Sequence, residues 1–284
     1  MSLGAVFLAL GIGVLLGVAI GENGVVSGAS KDLEKSLRGD LDSARSRNRD
    51  LRRELAIRDD FANQIYEPLV KDRLAGWHVG IVAMGDLPNG YASEVSEAIQ
   101  PAGATMDSVS VIKMPLPRGR LASEMKDTKL ARLDRSDEQL ERFGTRVGRQ
   151  LANGGNLVDR IRHDLFASSR GEYVGLDGIV YVRSTNELEG DEREAQNRFE
   201  AGLLAGLADT EVAIAGAEMT NTDPSQVGFM ADHGIASVDD LDLRAGKTAL
   251  VWIFAGGATG KYGIKDSAER LLPKPPDDGV APRP

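Results

Sequence analysis

The 284-residue sequence contains no cysteine. Without this residue the chain cannot form a disulfide, cannot use a thiolate as a nucleophile and cannot hold a metal through cysteine sulfur. The absence is compatible with export, because exported domains fold without disulfides in bacteria that do not rely on them. The lack of cysteine therefore excludes these kinds of chemistry and leaves the compartment open.

Other metal ligands are few and dispersed. Three histidines, His78, His163 and His233, lie in separate segments, and none belongs to a His-x-x-x-His or Glu-x-x-His pair that would place two ligands on one helix face. A Met-x-x-Met cluster, which would indicate a soft copper(I) site, is also missing. The methionines that follow the N-terminus are scattered at Met84, Met106, Met114, Met125, Met219 and Met230. Any metal site would have to be assembled by folding.

Recognisable catalytic motifs are missing as well. Residues 255–262, AGGATGKY, have Ala255 where a phosphate-binding loop has its first glycine and Tyr262 where it has a magnesium-binding serine or threonine. We interpret this segment as a glycine-rich turn that leaves a strand. Asp239, Asp240 and Asp242 lack the spacing of a calcium loop, so we predict a solvated acidic turn. We predict that the chain is not an enzyme and holds no cofactor.

The sequence has no excess of positive charge. Its 34 Lys and Arg residues against 43 Asp and Glu residues give a net charge of −9. Nucleic-acid-binding proteins need a basic surface to neutralise phosphates. The charge therefore predicts that nucleic acid is not a partner.

The one long apolar run lies at the N-terminus. Residues 3–20, LGAVFLALGIGVLLGVAI, contain no charge, and a helix of this length covers about 27 Å, enough to cross the hydrocarbon core of a membrane. We predict a single transmembrane anchor over residues 1–21. Small residues recur at every fourth position, which would let another helix approach closely. This small face consists of Ala5, Ala9, Gly13, Gly17 and Gly21.

Two questions about this segment stay open from the sequence. One alternative is a cleaved secretory signal, since Ala19, Ile20 and Gly21 could form a small-residue cleavage site, but signal peptides have shorter apolar regions. The second question is orientation. Basic residues follow the apolar run, which by the positive-inside rule would place the C-terminal side in the cytoplasm, but acidic residues are interspersed with them.

Residues 22–72 are predicted to form a linker and a coiled coil. After the Gly/Ser stretch ENGVVSGAS, mostly apolar residues alternate at spacings of four and three up to Leu69, which is the heptad pattern of a coiled coil, and Arg58 at a d position departs from it. Asn48 occupies an a position, where a buried amide can fix register and strand number, so we predict a parallel homodimer. The predicted seam contains Leu37, Leu41, Asn48, Leu51, Leu55 and Ile65.

Residues 73–272 read as one α/β domain. Five short apolar runs, at 77–84, 107–114, 178–182, 212–215 and 248–254, are predicted strands, and helical patterns lie between them, within 121–166 and 191–207 for example. This alternation is typical of a mostly parallel sheet with helices on both faces, as in a Rossmann-like or flavodoxin-like fold. Residues 273–284 are proline-rich without an apolar period, which predicts a disordered tail.

Several stretches together resemble one family. They are the apolar segment SLGAVFLALGIGVLLG at 2–17, the coiled coil behind it, the WHVGIVAM strand at 77–84, and ASVDDLDLRAGKTALVWIF with GKYG between 236 and 263. This order of elements is similar to that of the mycobacterial copper transport protein B family. The resemblance implies a role in copper transport or efflux, with copper as the transported ion, in a cell envelope. It implies no catalytic residue and no set of metal ligands.

The sequence therefore leads to two hypotheses for function. The first, from the resemblance, is a membrane-anchored copper-homeostasis protein whose α/β domain lies outside the cytoplasm. The second, from the residues, is a non-catalytic coiled-coil scaffold for partners in the cell envelope or in cell division. The dispersed His and Met residues favour the scaffold, whereas the resemblance over nearly the whole chain favours copper. We adopt the copper hypothesis and keep the scaffold as its alternative.

Overall fold

The structure is a computed structural model that describes residues 3–22, 25–126, 128, 130–133, 135–186 and 188–277. The chain divides into two compact units, Met1–Phe61 and Ala62–Pro284. Because helix α2 (Val25–Val70) runs past this division, the unit Ala62–Pro284 includes the last turns of that helix.

The unit Met1–Phe61 consists of helices. Helix α1 (Leu3–Glu22) confirms that the apolar run is helical, and α2 has 46 residues and ends one residue beyond the predicted end of the heptads. The Gly/Ser stretch expected to separate them is helical from Val25, since a long helix tolerates an occasional glycine at a cost of about 1 kcal/mol. Among the described residues, no helix combines the length and the apolarity that crossing a membrane requires. The predicted transmembrane span is therefore not confirmed.

The unit Ala62–Pro284 contains a seven-stranded sheet, in the part of the chain that the structure describes. Its strands are β1 (His78–Met84), β2 (Thr105–Ile112), β3 (Phe166–Gly171), β4 (Gly178–Arg183), β5 (Ala213–Ala217), β6 (Ser237–Val238) and β7 (Lys261–Tyr262). The order across the sheet is β3-β2-β1-β4-β5-β6-β7, and all neighbours are parallel except β2 and β3. The predicted α/β fold with a mostly parallel sheet is confirmed.

Helices cover both faces of this sheet, and the side chains of each strand alternate between them. Along β1, Val79 and Ile81 belong to one apolar core, whereas Val82 and Met84 belong to the other. The helices of the domain are α3 (Tyr91–Ile99), α4 (Arg118–Glu124), α5 (Asp137–Asn153), α6 (Asn156–Leu165), α7 (Gly190–Ala208), α8 (Val227–Asp232) and α9 (Arg244–Gly256). Helices α3 and α9 contribute to the first core, and α4 to α8 contribute to the second.

Four of the five predicted strands are present, with ends shifted by up to two residues. The fifth prediction is wrong, because residues 248–254 form the middle of helix α9. All seven of these residues are buried, so the helix shows no polar face and its sequence lacks a period of 3.6. Strand β3 was not predicted because it is an exposed, polar edge strand, and β6 and β7 have only two residues each.

Helices α5 and α7 pack backbone against backbone through four glycines. A side chain at Gly144 or Gly148 of α5 would overlap the backbone of Phe199 or Leu203 on α7. A side chain at Gly202 or Gly206 of α7 would likewise overlap the backbone of Glu141 or Thr145 on α5. In each helix the two glycines are four residues apart, so they lie on one face and allow a close crossing.

The first residues of the predicted tail contact the domain. Asp277 accepts a hydrogen bond from Nη1 of Arg73 at 2.7 Å through its backbone oxygen, and Pro276 lies beside Gly256 at the end of α9. The structure describes residues 273–277, and the disorder of the tail stays a prediction. Residues 278–284 lie outside the described part of the chain.

Candidate functional site

Polar side chains gather at the carboxyl edge of the parallel sheet. Arg183 ends β4, Glu218 directly follows β5, and Asp239 and Asp240 directly follow β6. The carboxyl ends of parallel strands lie at one edge, and ligands of open α/β sheets bind where the strand order reverses. Here the order reverses between β1 and β4. This edge is therefore the candidate functional site.

The first cluster at this edge is built around Arg183. Its Nε donates to both carboxylate oxygens of Glu200 at 3.2 and 3.1 Å, and its Nη1 donates to Oε1 of Gln226 at 2.6 Å. Glu200 is fully buried and also accepts a hydrogen bond from the Tyr181 hydroxyl at 2.8 Å. Burial raises the pKa of Glu200, while the positive charge of Arg183 acts in the opposite direction. The cluster holds the guanidinium group in one orientation.

The second cluster is an ion pair between Glu218 and Lys265. Oε1 of Glu218 accepts hydrogen bonds from Nζ of Lys265 and from the Ser225 hydroxyl, both at 2.6 Å, and Oε2 accepts one from the Gln226 backbone at 2.6 Å. Lys265 Nζ also donates to the backbone oxygen of Thr222 at 2.7 Å. Both charged groups have several hydrogen-bond partners. The ion pair therefore connects the loop after β5 to the loop after β7. Gln226 links it to the cluster around Arg183.

The prediction of a solvated acidic turn is wrong for two of its three residues, since Asp239 and Asp240 are both fully buried. The Asp239 carboxylate accepts hydrogen bonds from the backbone of Ile264 at 2.8 Å and of Lys265 at 3.3 and 3.2 Å. Neither carboxylate oxygen of Asp240 has a hydrogen-bond partner in the described structure. Burial, reinforced by the negative charges of Asp239 and Asp242, raises the pKa of Asp240 to about 7.

A cavity of about 260 Å³ opens beside Arg183. The loop that connects β4 to α7 forms one side of it, the first turns of α7 form another, and Gln226 and Phe229 close it from the α8 side. The end of β1 lies at the same place, because the Ser184 backbone donates to the Met84 oxygen at 3.1 Å. The cavity therefore lies where the strand order reverses, and it can hold a small polar molecule.

The glycine-rich segment at 255–262 does not have the setting of a phosphate-binding loop. It follows helix α9 and runs into strand β7, whereas a phosphate-binding loop leaves a strand and begins a helix. The interpretation as a turn after a strand is wrong for the same reason, since a helix precedes it. Gly257 has a φ of 59° and ends α9 in the left-handed conformation that favours glycine.

Within the described residues, no group of three or more His, Asp or Glu residues is placed to hold a metal ion. His78 pairs with Asp107, with Nδ1 2.6 Å from Oδ2, at the amino end of the sheet, while His163 and His233 are exposed on other elements. Met84, Met125 and Met230 are buried in the apolar core. Folding thus leaves the three histidines as dispersed as they are in the sequence.

The predicted pairing faces of α1 and α2 are open in the single chain. Ala9 and Gly13 line a shallow apolar groove of about 620 Å³ on α1, and a Cβ added at Gly13 or Gly17 would meet no atom within 4 Å. For Ala5 and Gly21 the structure describes the helical backbone only. In the seam, Leu37, Leu41, Asn48, Leu51 and Leu55 are exposed, and Ile65 is half-buried. The roles of both faces stay predictions.

Sequence reasoning missed the carboxyl-edge site, although one signal was present. Arg183 and Glu218 are charged residues at or just after short apolar strands, a position at which α/β proteins place functional groups. Glu200 gave no such signal, because it lies among several other charged residues in the sequence of α7 and nothing there distinguishes it. Only the packing of α7 against the sheet shows that it is buried beneath Arg183.

The comparisons with known proteins agree with the resemblance in the sequence. The family described as "Copper transport outer membrane protein, MctB" matches residues 1–273. The chain is 24% identical over 305 aligned positions to "Copper transporter MctB" of Mycobacterium bovis and of two strains of Mycobacterium tuberculosis, with 94% of this chain and 95% of each relative covered. Because the match spans both helices and the α/β domain, the chain belongs to the MctB family.

Proposed function

We propose that this chain acts in copper transport or copper efflux in the cell envelope. The observation that carries the proposal is the family match over residues 1–273, which includes α1, α2 and the α/β domain. Copper is cargo in this proposal, so the chain needs no resident metal. The matched relatives carry the name "Copper transporter MctB", which supports the choice of ion.

The proposed membrane contact is α1. All its described side chains from Val6 to Val18 are exposed, and most of them are large and apolar. A helix that is apolar all round is stable when it is buried in protein or in lipid. We place α1 in the bilayer and the α/β domain outside the cytoplasm. Protease added to intact spheroplasts should then digest the domain, whereas full protection would contradict this topology.

The proposed assembly is a parallel homodimer through α2. Four exposed leucines on the predicted seam support it, because a second copy of the same helix would cover them. Anchoring both chains in one membrane would raise their effective concentration for each other. In a chain without cysteine, Asn48→Cys should form a cross-linked dimer under oxidising conditions. Arg53→Cys, on the opposite side of the helix, is the matched control, and equal cross-linking at both sites would count against a specific seam.

A conducting path is not proposed within one chain. One apolar helix cannot enclose a route for a hydrated or coordinated ion, because ion pathways need several elements around a lumen. We propose that the protein supports copper movement as an assembly or together with a separate pore.

The deciding experiment compares copper tolerance and cell copper content in a strain that lacks the gene and in the complemented strain. The proposal predicts lower tolerance and higher copper content without the gene, both restored by the full chain. A titration of the purified full chain with copper(I) runs alongside and tests for direct binding. Unchanged tolerance and unchanged copper content would refute the proposal.

The alternative function is a non-catalytic scaffold for envelope or cell-division partners. Two observations favour it: the absence of a cluster of three His, Asp or Glu residues within the described chain, and the exposed heptad surface of α2. The scaffold hypothesis predicts that deletion of the gene causes a defect in cell shape or cell separation and leaves copper tolerance normal. The same deletion strain therefore separates the two functions.

A further inference from the structure

We propose that the cavity beside Arg183 binds a small anion, with a carboxylate or phosphate group as the recognised part. The cavity has a volume of about 260 Å³ and lies at the carboxyl end of β4, where the strand order reverses. This position is the general binding place of open α/β sheets. The proposal is independent of the copper role, since it uses none of the residues argued there.

The charge of the cavity selects for an anion. Two arginines, Arg183 and Arg193, line it, and the other described lining residues are neutral. The carboxylate of Glu200 lies behind Arg183, where its oxygens accept hydrogen bonds from Tyr181, Arg183 and Gln196. That carboxylate is therefore already satisfied within the protein. A ligand in the cavity meets positive charge and neutral donors.

The guanidinium group of Arg183 is preorganised to bind such a ligand. A guanidinium group has five N–H donors, and here Nε is used by Glu200 and one Nη1 hydrogen by Gln226. The contact from Nη2 to Asn197 is long, at 3.5 Å. The Phe229 ring lies against the guanidinium, with its centre 4.1 Å from Cζ. The group can thus donate two further hydrogen bonds without moving, which lowers the entropic cost of binding.

The walls set the size and the class of ligand. A volume of about 260 Å³ lies below the range usual for drug-sized molecules, so a dinucleotide does not fit. Side chains of Ser184, Thr185 and Asn186 supply neutral polar groups on the loop side. Leu188 of the same loop and Phe229 of α8 supply apolar surface. A short organic acid or a small phosphate compound matches these walls.

Calorimetric titration of the purified full chain in detergent tests the proposal. The probes are inorganic phosphate, acetate and succinate, and glycerol is the neutral control. We expect saturable binding of at least one anion in the millimolar range or tighter, and none of glycerol. The response to phosphate against the two carboxylates identifies the recognised group. Failure of all three anions to bind, or equal binding of glycerol, would overturn the proposal.

Two variants locate the binding. Arg193 is exposed and lines the cavity, so Arg193→Gln should leave the fold intact and weaken anion binding about tenfold through loss of a charged hydrogen bond. Arg198→Gln is the matched control on the same helix, because Arg198 faces Glu141 of α5 and does not line the cavity. Binding that is unchanged in Arg193→Gln, or weakened equally in both variants, would place the anion elsewhere and refute the assignment.

Discussion

Helix α1 and the α5–α7 pair share one sequence pattern but differ in their surroundings. Both have small residues at every fourth position, Gly13 and Gly17 in α1 and Gly144 and Gly148 in α5. In α5 a Cβ at either glycine would overlap the backbone of α7, whereas in α1 a Cβ would meet nothing within 4 Å. The pattern therefore shows that a helix can approach, and only the fold shows whether one does.

The same contrast extends to larger side chains. Leu51 of α2 is 59% exposed, whereas Leu203 of α7 is fully buried. In the α/β domain the pairing partners come from the same chain. In residues 1–61 the apolar and small faces have the composition of pairing surfaces, and their proposed partners are lipid and a second copy. The predictions that follow test this difference.

The largest effect is expected at the α5–α7 crossing. Gly202→Ala would push a methyl group into the backbone of Glu141 and should reduce the free energy of unfolding by about 3 kcal/mol. The matched control is Gly228→Ala in α8, where no atom lies within 4 Å, and alanine should stabilise by up to about 1 kcal/mol. Urea denaturation measures both. Equal stability of the two variants would show that the crossing is not tight.

The next effect tests Asp240, whose buried carboxyl group has no hydrogen-bond partner among the described residues. The pKa of Asp240 is raised to about 7, above its value in the unfolded chain, so the folded protein keeps a proton that the unfolded protein has lost. Stability should therefore fall as the pH rises from about 4 to about 7, by an amount on the order of 4 kcal/mol. Asp240→Asn should remove this loss and be the more stable protein at pH 8. Denaturation curves across this pH range give the measurement.

Asp239→Asn is the control for that prediction. The Asp239 carboxylate accepts backbone hydrogen bonds from Ile264 and Lys265, so an amide that presents one acceptor oxygen should destabilise the domain at pH 8 by about 1 to 2 kcal/mol. The two neighbouring substitutions are thus expected to have opposite signs. The same sign for both would mean that the buried Asp240 carboxylate is satisfied by something other than the described side chains.

A smaller effect is expected in α2. In a monomer Leu51→Ala should change stability little, because the side chain is exposed. In the proposed dimer it should weaken association by about 2 kcal/mol per chain, and the loss should depend on protein concentration. Sedimentation equilibrium of the full chain in detergent distinguishes these outcomes. Arg53→Ala, on the outer side of the helix, should leave association unchanged.

The smallest effect on stability is expected in α1. Gly17→Leu should leave the unfolding of the α/β domain unchanged, because no described atom lies near this position. It should reduce association of the anchors in lipid, if the small face pairs, and Gly11→Leu on another side of the helix should not. Energy transfer between labelled chains in vesicles provides the measurement. Equal association of the two variants in vesicles would contradict a pairing role of the small face.

Much of the fold could be predicted because it depends on local patterns. The continuous apolar runs at 77–84 and 178–182 and the period of 3.6 in α5 are readable from neighbouring residues. Helix α9 was taken for a strand because its buried surface extends all round, which removes the period that distinguishes the two. The site was largely unpredictable, since Arg183, Glu200 and Gln226 come from three elements.

The amino-acid sequence by itself determined the helical N-terminal quarter, the alternation of strands and helices, the absence of cysteine chemistry and the family. These properties follow from composition and from spacings of at most a few residues. The tertiary structure decided that Gly202 meets Glu141, that Asp240 is buried without a hydrogen bond and that a cavity opens beside Arg183. These depend on contacts between segments far apart in the chain, where burial changes the cost of a charge and the space for a side chain.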